Sequence, residues 1–154
     1  MPNIVLTRID NRLVHGQVAT QWCGAIGANL ILVANDEVAG NSLRQGLMNM
    51  AAPSYASMRY WTIQKTIDTI HKASAKQLIF IVCENPQDVV KLVEGGVPIK
   101  KVNIGNMHMA DGKRQVAGSV AVDDSDVAAF KRLQELEIRR VPTEHAESTD
   151  KLFK

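Results

Sequence analysis

The chain has 154 residues, enough for one compact domain, and its 45% hydrophobic content is sufficient for an ordinary buried core. Its 18 basic and 16 acidic residues give a formal net charge of +2, which excludes the global positive field typical of a nucleic-acid-binding protein. The N-terminal segment has no signal-peptide pattern and no apolar run approaches the ~20 residues of a membrane-spanning helix, so we expect a soluble intracellular protein.

Apolar runs alternate with segments of helical period along the first third of the chain. Residues 4–9 predict a first strand, and residues 16–26 predict a helix that ends before Gly27. Residues 29–34 (NLILVA) are almost entirely apolar, which indicates a strand covered on both faces. Residues 41–51 then predict a helix. The apolar positions that recur at helical spacing in it are Leu43, Leu47, Met50 and Ala51.

The alternation continues through the middle of the chain. Residues 57–62 predict a weaker strand and residues 66–73 a helix. Residues 77–83 (QLIFIVC) predict a buried strand more strongly than any other segment. The next helix is expected to be capped by Asn85, to have Pro86 at its first position, and to end at the glycine pair that follows.

The last third completes an alternating strand and helix order. Residues 101–104 predict a strand, residues 115–122 an extended segment, and residues 138–141 a last, exposed strand, with a helix from about Asp123 to Glu135 before it. This order implies right-handed crossovers and an α/β fold. We therefore expect one domain, residues 1–154, with an open, mainly parallel sheet and helices on both faces. Ligands in such folds bind outside the carboxyl ends of the strands.

Two cysteines lie in apolar stretches far apart in the sequence. Cys23 and Cys83 have neither the CxxC nor the Cys/His spacing of a zinc site. Buried, reduced thiols are therefore the favoured interpretation over a disulfide.

The loop directly after the first predicted strand has the residue types of an anion site. It runs Asp10-Asn11-Arg12-Leu13-Val14-His15-Gly16-Gln17. Because His15 stands at a predicted helix start, the unpaired N–H groups of Gly16 and Gln17 and the helix dipole favour an anion and disfavour imidazolium. A neutral imidazole is nucleophilic, and a phosphoryl group attached to it would lie among those donors. A solvated or structural loop histidine is the competing interpretation.

Two arginines and one carboxylate stand close to His15 in the sequence. Arg12, three residues before it, has a planar guanidinium that binds phosphate oxygens bidentately, and Arg8 is a second candidate cation. Asp10 would repel phosphate on direct contact, so its expected task is to hold Arg12 or a loop N–H in place. These residues would supply the positioning and charge neutralisation that phosphoryl transfer needs.

Polar residues follow two other predicted strands at the same edge. Asp36 is placed to complement Arg12 or to cap the next helix, and Asn106, with Gly105, is placed to offer amide and backbone donors to a phosphate or to help dock a partner. His108 is a less favoured candidate for a second catalytic histidine. The remaining histidines, His71 and His145, are expected to be structural or solvated.

The sequence on both sides of this loop resembles a known family over a longer stretch. The run RIDNRLVHGQV, residues 8–18, resembles the active-site segment of the mannose/fructose/sorbose-family IIB components of the bacterial phosphoenolpyruvate-dependent sugar phosphotransferase system. The resemblance continues through LILVANDEVA, residues 30–39, and GGVPIKKVNIGNMH, residues 95–108. Within the family, VNIGNMHMADGKRQ, residues 102–115, is most similar to the N-acetylgalactosamine/galactosamine branch.

The resemblance implies a phosphohistidine carrier with a mainly parallel, helix-flanked sheet. It implies that His15 is phosphorylated at Nδ1 and that Arg12 assists the transfer. The implied donor is a phosphohistidine on a IIA protein, and the implied acceptor is the 6-hydroxyl of a sugar in the IIC/IID membrane complex. No metal, nucleotide or other cofactor is implied. The expected location is the cytoplasm, with transient association at the inner face of the membrane.

Two alternatives belong to other functional classes. A non-catalytic regulatory or binding module would keep the fold, but it has no need of the Arg12/His15 pair. A nucleotide-binding domain is disfavoured because neither a G-x-G-x-x-G nor a Walker loop follows the first strand. A homo-oligomer is compatible with the sequence, and no nucleic-acid partner is expected.

Overall fold

Strands and helices alternate along the chain, and the computed structural model describes residues 2–14, 23–118 and 120–142. The strands are β1 (Asn3–Ile9), β2 (Leu30–Ala34), β3 (Ser57–Trp61), β4 (Leu78–Cys83), β5 (Lys101–Ile104), β6 (Arg114–Ala117), β7 (Val120–Val122) and β8 (Arg139–Pro142). The helices are α1 (Asp36–Ala39), α2 (Ser42–Ala51), α3 (Ile63–Thr69), α4 (Pro86–Glu94) and α5 (Asp124–Glu135), with a 3-10 turn at Ile70–Lys72.

One parallel sheet organises the domain. Its strand order is β3-β2-β4-β1-β5-β8, and every pairing within it is parallel. Strands β6 and β7 form a separate antiparallel pair between β5 and α5. The prediction of an open, mainly parallel sheet is therefore confirmed. The predicted extended segment at residues 115–122 is this short hairpin, because a turn at Gly118 reverses the chain.

Both faces of the sheet carry a hydrophobic core, which confirms the helices predicted on both sides. Strand β2 alternates strictly: Leu30 and Leu32 belong to one cluster, and Ile31 and Val33 to the other. Helices α3, α4 and α5 contribute their buried side chains to the first cluster. Helices α1 and α2 contribute to the second cluster, together with Cys23 from the helical residues 23–26. The rest of the helix predicted at 16–26 lies outside the described residues.

Helices α1 to α5 each begin with a side-chain cap. The capping residues are Asn35, Asn41, Thr62, Asn85 and Asp123. The predicted cap at Asn85 is confirmed, and Asp123 forms a reciprocal capping box with Asp126. Because Thr62 caps α3 directly after β3, that helix begins at Ile63 rather than at the predicted residue 66. Cap residues that follow strands bring helix N-termini to the carboxyl edge of the sheet.

The buried face of helix α2 is not the one that its apolar spacing indicates. Leu43, Leu47 and Met50 are exposed, and the buried apolar residue is Met48. The helix carries apolar side chains on two sides, and only packing against the sheet decides which side is covered. The two cysteines are buried free thiols, as predicted, and burial raises the pKa of Cys23 to about 11. Within the described ranges, no helix is both long and apolar enough to cross a bilayer.

Candidate functional site

The carboxyl ends of β1 and β5 form a crevice at a change of direction in the sheet. The chain leaves β1 toward β2 on one side of the strand order and leaves β5 toward β8 on the other side. Connections that diverge in this way leave space between two neighbouring strand ends, where α/β proteins bind ligands. The loops that line this crevice are residues 10–14 after β1 and residues 105–113 after β5.

The first loop makes a tight turn that exposes one arginine. The Leu13 N–H donates to the carbonyl of Asp10 at 2.9 Å, and Leu13 has a φ of 60°, in the left-handed region that is unusual for a residue with a side chain. Leu13 and Val14 are both buried in the core on the face that also holds α2. Since these two side chains point inward, the turn presents Arg12 to solvent.

Asp10 holds this loop from within. It is fully buried, and its Oδ1 accepts a hydrogen bond from the Arg12 N–H at 3.0 Å. Its Oδ2 accepts from the side-chain amide of Asn106 at 3.0 Å and lies 3.5 Å from Nη2 of Arg8. The carboxylate therefore binds a loop N–H, as the sequence predicts, and its charge is balanced by Arg8 beneath the loop.

Arg8 is a buried cation rather than an exposed one. Only 5% of its surface is exposed, and its Nη1 donates to Oδ1 of Asn103 on the neighbouring strand β5 at 2.5 Å. Burial lowers the pKa of Arg8; the adjacent Asp10 raises it in part, and the nearby Arg12 lowers it further. Of the two arginines proposed from the sequence, Arg12 is therefore the exposed one.

The second loop is hydrogen-bonded to the first. The Gly105 N–H donates to the carbonyl of Ile9 at 2.8 Å, and the Asn11 N–H donates to the carbonyl of Asn106 at 2.9 Å. In the amide orientation that satisfies both of its polar atoms, the Asn11 side chain also bonds Asn106 and the N–H of His108. The donors expected to face a phosphate, the Gly105 N–H and the Asn106 amide, are thus engaged in joining the loops.

A salt bridge anchors the far end of the second loop. Lys113 Nζ lies 2.8 Å from Oδ2 of the buried Asp126 in the first turn of α5. Oδ1 of the same carboxylate accepts from Gln87 in α4 at 3.0 Å. Within this loop, Met107 is buried and His108 is exposed. Lys113 is therefore largely a structural anchor.

Asp36 lies after β2, in a neighbouring crevice between β2 and β4. Its Oδ1 accepts from the N–H of Ile63 at 2.8 Å, so it orders the start of α3. The helix cap considered for Asp36 is instead supplied by Asn35, whose Oδ1 accepts from Val38 at 2.9 Å. Asn35 also donates to Glu84 at 2.6 Å.

Three of the predicted site residues lie outside the described residues: His15, Gly16 and Gln17. The structure brings together the other residues of the first crevice. These are Arg8, Asp10, Arg12 and Asn106.

Two further residues belong to the buried network of this crevice. The sequence patterns do not single out Asn103, and they indicate Gly105 only as a backbone donor. Asn103 is a buried polar side chain in an otherwise apolar part of β5, which is the signal that points to it in retrospect. Gly105 has no room for a side chain, because a Cβ there would lie 2.6 Å from Cζ of Arg8.

The crevice is suited to a small anion. It presents the guanidinium of Arg12 on a loop whose other polar groups bind one another, so the backbone that carries this cation is ordered before a ligand arrives. In the part of the chain that the structure describes, no group of three or more His, Cys, Asp or Glu side chains is placed to hold a metal ion.

Comparisons with known proteins show the family of this chain. Residues 4–154 match the family described as the PTS system sorbose subfamily IIB component. The chain is 53% identical to the N-acetylgalactosamine-specific phosphotransferase enzyme IIB component 2 of Escherichia coli (strain K12), over 99% of this chain and 100% of the relative. It is 37% identical to the fructose-specific EIIB component of Bacillus subtilis (strain 168), over 96% and 93% of the two chains.

Solved structures show the same fold. The crystal structure of N-acetylgalactosamine-specific IIB component 1 from Escherichia coli superposes with a TM-score of 0.89 at 46% identity, over 95% of this chain and 96% of that one. IIB components are the partners of IIA, IIC and IID components in this transport system. The chain therefore belongs to the sorbose subfamily of phosphotransferase-system IIB components, the enzymes that pass a phosphoryl group from a IIA protein to a sugar.

Proposed function

We propose that His15 carries the phosphoryl group and that Arg12 binds it during transfer. The arrangement of the first loop carries this proposal. Arg12 is exposed while Asp10 is fully engaged below it, and the buried Leu13 and Val14 lead the chain directly into residue 15. A group on His15 would then begin three residues along the chain from an arginine whose backbone is held in a defined turn.

The chemistry of transfer needs little more than such an arrangement. Phosphoryl transfer depends mainly on alignment and on neutralising the charge of the phosphoryl oxygens, and Arg12 supplies that charge. The N–H groups of Gly16 and Gln17 are proposed as further phosphoryl donors. Arg8, Asp10 and Asn106 are proposed to order the loop without contacting the phosphoryl group. Asp36 is proposed to have an ordering role of the same kind in the neighbouring crevice between β2 and β4.

The proposed donor is a phosphohistidine on a IIA protein, and the proposed acceptor is N-acetylgalactosamine or galactosamine in a IIC/IID membrane complex. Support for the sugar comes from the relative at 53% identity, which is named for N-acetylgalactosamine. We propose that residues 1–154 act as a single IIB domain in the cytoplasm and meet the inner face of the membrane only during transfer to the sugar.

Mass spectrometry after phosphorylation tests the carrier residue. The protein is incubated with phosphoenolpyruvate, the general carrier proteins and a cognate IIA protein. We expect one acid-labile phosphate on the peptide that contains His15, and none on the His15→Ala variant. His108→Ala and His71→Ala are matched controls, since both histidines are exposed, and both variants should be phosphorylated normally. Acid-stable phosphate, or phosphate retained by His15→Ala, would contradict the proposal.

The sugar is tested with membrane vesicles that contain the cognate IIC and IID proteins. The phosphorylated protein is mixed with N-acetylgalactosamine, galactosamine, fructose or sorbose, and phosphate transfer to each sugar is measured. We expect one of the two galactosamine sugars to accept phosphate fastest. Preferred transfer to fructose or sorbose would overturn the sugar assignment and leave the carrier role of His15 intact.

A further inference from the structure

Asn103 is a buried polar residue that faces the guanidinium of Arg8. The two residues are direct neighbours across the parallel pairing of β1 and β5, and each is only 5% exposed. Nη1 of Arg8 donates to Oδ1 of Asn103. An amide oxygen is a neutral acceptor, so it directs the guanidinium without adding a second negative charge beside it.

Two contacts through Asp10 connect Arg8 to Arg12 at the surface. Nη2 of Arg8 lies 3.5 Å from Oδ2 of Asp10, and the other oxygen of Asp10 accepts from the backbone N–H of Arg12. A continuous chain of contacts thus runs from Asn103 to the residue that bears the exposed guanidinium. Each intermediate group is buried and therefore has little freedom to adjust.

Gly105 packs directly against the guanidinium of Arg8 and leaves the space that this series of contacts needs. A Cβ at this position would lie 2.6 Å from both Cζ and Nη2 of Arg8 and 2.7 Å from the carbonyl oxygen of Ile9. Contacts this short with backbone and with a buried planar group leave no route for a small adjustment. Any side chain at position 105 would therefore displace the guanidinium from Asp10.

We propose that Asn103 is a positioning residue for phosphoryl transfer, acting through Arg8 and Asp10 to set the place of Arg12. This inference rests on the proposed role of Arg12 in binding the phosphoryl group. Asn103 itself does not touch that group. Its neutral amide places no second negative charge beside Arg8, whereas a carboxylate at position 103 would compete with Asp10 for the same guanidinium.

The Asn103→Asp variant separates positioning from folding, because it keeps the shape and the acceptor atom and changes only the charge. We expect its kcat for phosphorylation by the IIA protein to fall roughly tenfold to a hundredfold, as misplacement of a positioned group by about 1 Å does. The KM for the phosphorylated IIA protein should stay within about twofold. The Arg12 backbone amide resonance should shift, because the hydrogen bond it donates to Asp10 changes.

Asn29→Asp is the matched control. Asn29 binds the backbone of Lys76 and Leu78 at the amino edge of the sheet, so the same substitution there should change the melting temperature without changing kcat. Thermal melting gives the folded fraction of every variant, and kcat is expressed per folded molecule.

The outcomes separate the two proposals. If the wild-type protein carries no phosphate on His15, the proposed function fails. If it does, and folded Asn103→Asp transfers with the wild-type kcat, the positioning role of Asn103 is overturned. A rise in KM alone, or a rate loss explained by the unfolded fraction, also overturns it. A lower kcat with an unshifted Arg12 amide would show that Asn103 acts by another route and would likewise overturn it.

Discussion

Two crevices at the carboxyl edge of the sheet have the same construction and opposite charge. In the first, between β1 and β5, the amide of Asn106 donates to the carboxylate of Asp10 at 3.0 Å. In the second, between β2 and β4, the amide of Asn35 donates to the carboxylate of Glu84 at 2.6 Å. At each, the connections from the two strands run in opposite directions along the sheet.

What differs is the partner of each carboxylate. Asp10 is neutralised by the buried Arg8, and Arg12 lies above it, so the first crevice has an excess of positive charge. The second has Glu84 beside the carboxylates of Asp36 and Asp88. Topology therefore provides two places for a ligand. Among the described residues, the charges at the first favour an anion and those at the second disfavour one.

Removing the charge of Asp10 should show the greatest difference between the crevices. Asp10→Asn leaves the cation of Arg8 buried without its carboxylate, and we expect a loss of about 3–5 kcal/mol in the free energy of unfolding. Glu84→Gln, in the second crevice, keeps an oxygen that can accept from Asn35 and should cost about 1 kcal/mol or less. Urea unfolding of both variants measures this. Similar losses would mean that the two carboxylates are equally structural.

Removing the exposed cation should affect transfer and spare the fold. Arg12→Ala should slow phosphorylation by the IIA protein roughly a hundredfold, the usual effect of deleting one group that stabilises transition-state charge. Arg12→Lys should be slow by a smaller factor, because it keeps the charge and loses the planar fork. Arg44→Ala, which removes an arginine of α2 that pairs with Glu37 of α1, is the control and should transfer normally. An unchanged rate for Arg12→Ala would remove Arg12 from the mechanism.

Replacing glycine with alanine should lower the free energy of unfolding at the site and raise it away from the site. Gly105→Ala introduces a Cβ within 2.7 Å of Arg8 and of backbone, so we expect a loss of about 1–3 kcal/mol in the free energy of unfolding. Gly46→Ala, in the exposed part of α2, meets no atom within 4 Å and should gain about 0.5–1 kcal/mol from helix propensity. Denaturant melts decide this, and stabilisation by both changes would contradict the close packing at Arg8.

The carboxylates of the second, acidic crevice should give the protein a small pH dependence of its free energy of unfolding. Burial raises the pKa of Asp88 from 3.8 to about 6; Lys91 opposes this shift, and Asp36 and Glu84 add to it. Because the folded state holds the Asp88 proton more tightly than the unfolded state, this group costs stability as pH rises from about 4 to above 6.

Asp88→Asn tests that dependence directly. The stability that wild type loses between pH 4.5 and pH 7, relative to this variant, should be below about 1 kcal/mol after solvent screening. Urea unfolding at the two pH values measures the difference. Glu84→Gln should reduce it by removing one neighbouring charge, whereas identical pH slopes for wild type and Asp88→Asn would refute the raised pKa.

The strands and the loop that carries the candidate site were largely predictable from local patterns. The apolar runs before Ala34 and Cys83 became β2 and β4 because buried parallel strands need side chains that avoid water on both faces. The rule that ligands bind after strand ends led directly to the loop that begins at Asp10.

The roles of individual polar residues were less predictable. Nothing local distinguishes Arg8, which is buried, from Arg12, which is exposed, since both are arginines within one short segment. The difference comes from β5, which brings Asn103 beside Arg8 across 95 residues of chain. The same limit applies to α2, where spacing predicts the helix and the sheet decides that Met48 rather than Leu47 is covered.

The sequence by itself determined the α/β architecture, the loop after β1 and, through an extended resemblance, the family. These depend on hydrophobic period, turn residues and a contiguous motif, all of which are local properties of the chain. Only the tertiary structure decided that Asp10 is held by Arg8 and Asn106, that Gly105 must lack a side chain, and that the second crevice is acidic. Those facts depend on strand order, because burial and charge pairing arise between residues that only the folded sheet makes neighbours.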